Sequence, residues 1–138
     1  MRRSLTTLAL TCTLLLAAPV GAQAQKDPKQ AIDDLITCTL IYSRTADLYA
    51  EQGNTAKSEE FQSTTYAYGV VADSVTAVTY GEEIAEDYVD ERMNLVMQAL
   101  NTQAEQRSGG DVDVIAEWLD YCDEMGPRVQ QVLDRIDF

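Results

Sequence analysis

The chain has 138 residues, 46% of them hydrophobic and 24% charged, with 23 acidic against ten basic side chains and no histidine. A net charge of −13 repels phosphate backbones and anionic headgroups, which argues against nucleic acid and membrane surfaces as partners and leaves cations and basic proteins. Without histidine there is no Ser-His-Asp or Cys-His nucleophile, no His-ligated zinc, no Glu-x-x-His di-iron site and no Cys-x-x-Cys-His haem attachment; carboxylate pairs are abundant but nothing in the sequence places two of them in a cleft, and no catalytic residue, metal site or cofactor is expected.

Residues 1–24 read as a secretory signal peptide. Arg2 and Arg3 form a basic start, residues 5–18 an apolar core rich in Leu, Ala and Thr, and Pro19 breaks that core ahead of Ala22-Gln23-Ala24, a small-x-small cleavage site. The core is too short for a membrane span, which needs about 20 apolar residues. An exported protein, periplasmic or secreted, is therefore expected, with no membrane insertion after cleavage and a single domain over residues 25–138. Cys12 leaves with the signal. The remaining pair, Cys38 and Cys122, reads as a structural disulfide, since no Cys-x-x-Cys is present to suggest redox chemistry.

The first element is a helix from Pro28 to Gln52. Ala31, Leu35, Cys38, Tyr42, Thr45 or Ala46, and Tyr49 recur at steps of three and four, and Asp27 before Pro28 supplies an N-cap and a favoured first-turn proline. Leu40, Ile41 and Leu48 are apolar but lie off this stripe.

Gly53-Asn54 separates it from a second element ending at Gly81. Phe61, Thr64, Tyr68, Val71, Val75 and Val78 keep the helical step, although the Val, Thr and Tyr content from Thr64 to Tyr80 suits strands. The apolar residues do not alternate, so the period decides for a helix, with Gly69 as a point of close approach. Tyr66, Val70 and Ala77 are off its stripe.

The third helix opens on acidic residues and aligns Ala85, Val89, Met93, Val96, Met97, Leu100 and Ala104, with Ile84, Tyr88 and Leu95 as a minor row. Ser108-Gly109-Gly110 ends it, and Asp111 is expected to cap the fourth. There Ile115, Trp118, Cys122, Met125, Val129, Val132 and Ile136 share a face, with Leu119 and Leu133 beside them. The phase runs through Pro127, which should kink this helix rather than end it.

Four amphipathic helices with short connections predict an all-α, up-down-up-down four-helix bundle, in which the first and last helices are neighbours joined by Cys38 and Cys122.

Two surfaces are candidates for partner binding. Glu82, Glu86 and Asp90 stack in one row of the third helix, and Glu83, Asp87 and Glu91 in the next. Such rows dock a basic partner or merely solvate a helix face; a lone helix cannot wrap Ca²⁺ with enough oxygens, and Asp111, Asp113 and Glu117 lack the EF-hand pattern. The second candidate is the off-stripe apolar face of Leu40, Ile41 and Leu48, which implies either a wide core or an interface for a partner or a second copy. Of the tyrosines, Tyr42, Tyr49 and Tyr68 fall on core stripes and are expected to pack inside. The reading is an exported, non-enzymatic helical module that binds a protein, in the manner of an inhibitor, immunity protein or chaperone, for which the charge allows a cationic partner. The alternative is a bundle carrying a small apolar ligand, with Met93, Met97, Met125 and Trp118 making room for it.

Overall fold

The computed structural model describes residues 27–136; the expected signal segment, residues 1–24, lies outside the described residues. Four helices follow one another: α1 Pro28–Glu51, α2 Thr55–Tyr80, α3 Glu82–Glu105 and α4 Asp111–Leu133. They form the up-down-up-down bundle that the sequence predicts. Arg44, late in α1, reaches Asp111 at the start of α4, while Cys38, earlier in α1, is bonded to Cys122, later in α4, so these two helices run antiparallel. Asp33 to Arg92 and Arg44 to Asn101 show α1 and α3 running parallel.

The helix ends follow from local chemistry. Asp27 accepts from the Lys29 amide and Pro28 occupies the first turn of α1. Asn54 accepts from the Lys57 amide at 3.2 Å and caps α2. Gly81, at φ 98°, is the whole connection between α2 and α3. A link of one residue leaves α3 no course but back along α2, and the left-handed backbone there suits glycine alone. Asp111 is not the cap expected of it. Gly110 holds that position, and Asp111 sits inside the first turn of α4, paired with Arg44. Asp113 reaches back instead, accepting from the Gly109 amide at 2.8 Å.

α1 is the centre of the molecule. Ile32, Leu35, Ile36, Cys38, Ile41, Tyr42 and Ala46 are all buried, so the helix is covered on more than one face. Its threonines are buried too, and each hydroxyl donates to the carbonyl four residues back: Thr37 to Asp33, Thr39 to Leu35 and Thr45 to Ile41. α2 does the same with Thr65, Ser74 and Thr76. These bonds satisfy the polar atoms of a Thr-rich helix in an apolar setting, and burial of one face stabilises a segment whose own propensity is poor.

Cys38 and Cys122 are bonded at a Cα separation of 5.4 Å, both fully buried. The bond closes a separation of 84 residues, for which loop-closure entropy gives about 4.5 kcal/mol of stabilisation. Met125 Sδ lies 3.8 Å from Cys38 Sγ. α4 continues unbroken through Pro127.

Candidate partner-binding site

The two acidic rows of α3 are not equivalent in the folded chain. All six carboxylates, Glu82, Glu83, Glu86, Asp87, Asp90 and Glu91, are exposed. Glu82, Glu86 and Asp90, with Ala85 and Val89 beneath them, form one wall of a cleft of about 580 Å³ between α3 and α2. Asp73, Ser74 and Ala77 of α2 form the other. Glu83, Asp87 and Glu91 do not line that cleft.

Asp73 is the residue that the sequence reading missed. It stands alone among apolar and small residues in the second half of α2, and nothing in its own helix marks it as part of a cluster. Partial burial holds its carboxyl above the ordinary value of 3.8, and the charges of Asp90 and Glu86 across the cleft raise it further. The cleft is thus a concentration of like charge without a compensating cation: among the described residues, none of Asp73, Glu82, Glu86 and Asp90 forms an ion pair. The basic residues near α3 are engaged elsewhere. Arg92 makes a bidentate pair with Asp33 of α1 at 2.8 and 2.7 Å, and Arg107 pairs with Glu117. No group of three or more metal-ligating side chains is arranged to hold a metal ion among the described residues.

Of the expected apolar face of α1, Ile41 is corrected by the central position of that helix. Ile41 is 0% exposed and belongs to the core, because α1 is covered on the side facing away from Cys38 as well. Leu40 is half-buried against the same core, and Leu48 is half-buried. The exposed off-stripe residues are on other helices: Tyr66 is 71% exposed, with Ile84 and Leu95 also exposed.

Tyr42 and Tyr68 pack inside, as their phase predicts, with ring centroids 4.9 Å apart. The Tyr42 hydroxyl donates to Asp123 at 2.6 Å and the Tyr68 hydroxyl to the Cys122 carbonyl at 2.6 Å. Burial first, and the Asp123 carboxylate second, raise the Tyr42 phenol well above its ordinary range. These hydroxyls are structural donors tying α1 and α2 to α4. Tyr121 does the same from the other side, donating to Asp34 at 2.6 Å.

The side chains considered for an apolar ligand are dispersed. Met93 and Met97 line a surface depression beside Leu40, Met125 lies on the disulfide, and Trp118 stands edge-on to Tyr121 at 5.8 Å. Among the described residues, no helix is long and apolar enough to cross a membrane. No family model, curated protein or solved structure matches the chain.

Proposed function

We propose that this chain is an exported, non-enzymatic helical module that binds a cationic protein at the cleft between α2 and α3. The observation that carries this reading is the convergence of Asp73, Glu82, Glu86 and Asp90, from two helices, on one open cleft, none of them in an ion pair among the described residues. Asp90 and Glu86 repel the Asp73 carboxylate across the cleft, and a partner bringing Lys or Arg relieves that repulsion. A stretch of surface acids serving solubility alone has no reason to be gathered from two elements into a concavity. Export is supported by the basic, apolar and small-residue order of residues 1–24 and by the buried disulfide, which forms and persists in oxidising compartments. An inhibitor, immunity or chaperone-like role is compatible with such a surface.

The two rows of α3 supply an internal control. A fluorescein-labelled oligolysine of about seven residues, long enough at about 3.3 Å per residue to span the cleft, is titrated with the protein and followed by anisotropy. The Glu82→Gln, Glu86→Gln, Asp90→Asn variant is expected to lose at least about tenfold in affinity, and the Glu83→Gln, Asp87→Asn, Glu91→Gln variant less than about threefold, because the second row does not face the cleft. Equal losses in both variants, or no binding by the unmodified chain, would contradict a site in the cleft.

A further inference from the structure

The acidic cleft does not end at Asp90. That carboxylate also borders a second depression of about 320 Å³, lined by Leu40 of α1 and by Met93, Asn94 and Met97 of α3. The two depressions share Asp90 and follow one another along α3. Their joint surface is acidic from Glu82 to Asp90 and largely apolar from Met93 to Met97. At 1.5 Å per residue the span from Glu82 to Met97 is about 22 Å, the length of a helical segment of about 15 residues. Met97 is expected on the core stripe from its spacing, yet it is 39% exposed. Unbranched thioethers at a surface adapt to differently shaped apolar partners.

We propose that this two-part surface takes a cationic amphipathic segment of the partner, with its Lys or Arg side chains over Glu82, Glu86, Asp90 and Asp73 and its apolar side chains over Leu40, Met93 and Met97. The inference rests on the cationic-partner reading above and names the chemistry of the segment recognised. Charge complementarity selects the occupant. A neutral apolar helix would cover the thioethers but desolvate four carboxylates without compensation. A second copy of this chain brings the same excess of acid, 23 acidic against ten basic residues, and is repelled. A purely hydrophilic basic segment leaves the Met93 and Met97 end uncovered. A basic amphipathic helix satisfies both ends at once, as helix-in-groove recognition requires.

Two fluorescein-labelled peptides of equal length, about 15 residues to match the groove, and equal net charge are titrated with the full chain. One places Leu at helical spacing among Lys, and the other replaces each Leu with Gln. The unmodified protein is expected to bind the Lys/Leu peptide about tenfold more tightly than the Lys/Gln peptide. Met97→Gln should reduce that preference by at least about threefold, and Met97→Leu should retain it. Because Met97 is partly exposed, both variants are expected to keep the helical circular dichroism of the parent. Equal affinity for the two peptides, or a preference that survives Met97→Gln, overturns the amphipathic reading and leaves the cationic partner standing. Failure of both peptides to bind overturns both.

Discussion

At the scale of single residues, position within the helical period carries most of what can be read in advance. Cys38 and Cys122 are legible because their number is even once Cys12 is set aside and because both fall on inward stripes; in the structure both are fully buried and bonded. Replacing both with Ala is expected to lower stability by about 2–5 kcal/mol in denaturant titration, and alkylation without prior reduction should leave both sulfurs unmodified. Asp73 was not legible, since its neighbours in the cleft belong to another helix and no local pattern announces them. Its raised carboxyl makes a pH prediction. The folded chain holds this proton more tightly than the unfolded chain, so the corresponding stability is fully present below the ordinary value of 3.8 and is lost as pH rises through the raised folded value. Asp73→Asn removes that decline. Urea midpoints measured across this window should therefore vary less with pH in the variant and lie higher than those of the parent near neutrality. A variant that is less stable near neutrality would contradict the origin assigned to the shift.

At the scale of elements, the four helices and their order follow from periodicity and punctuation, and α2 shows why periodicity outweighs propensity. Its Val, Thr and Tyr content disfavours an isolated helix, but Tyr68, Val71, Ala72 and Thr76 bury one face and the hydroxyls of Thr65, Ser74 and Thr76 donate to the helix's own carbonyls. The stripe drawn from spacing drifts, however. At about 100° per residue, Val78 lies about 100° around the helix from Phe61, and it is 89% exposed, whereas Thr76 takes the buried place. Gly69 was expected at a close approach, and it does face Thr39 of α1. A Cβ there would meet Thr39 Cγ2 at 3.9 Å, an ordinary contact. Gly69→Ala is therefore expected to raise stability by about 0.5–1 kcal/mol, by restricting the unfolded chain without a native clash. Sequence could not show that α1 is the central helix, because a second apolar face reads equally as core or interface. The structure places Ile41 in the core, so Ile41→Ala should cost about 2–5 kcal/mol and lower the thermal midpoint without changing the sedimenting mass.

At the scale of the whole molecule, charge is distributed with a direction that composition does not contain. A net charge of −13 is equally compatible with uniform solvation, and only the pairing of α2 with α3 converts three of six acids on one helix into a cleft shared with Asp73. Exposed charges interact over about 8 Å at physiological ionic strength, so a site in that cleft predicts binding that weakens with salt and is confined in space. The most direct test is an amide chemical-shift map of the isotope-labelled chain titrated with the Lys/Leu peptide at about 0.05 M and about 0.5 M salt. The account predicts shifts concentrated at residues 73–77 and 82–97 in low salt and largely abolished in high salt. Shifts spread equally over exposed acids of α1 and α4 such as Asp47, Asp120 and Glu124, or persisting unchanged in high salt, would contradict it.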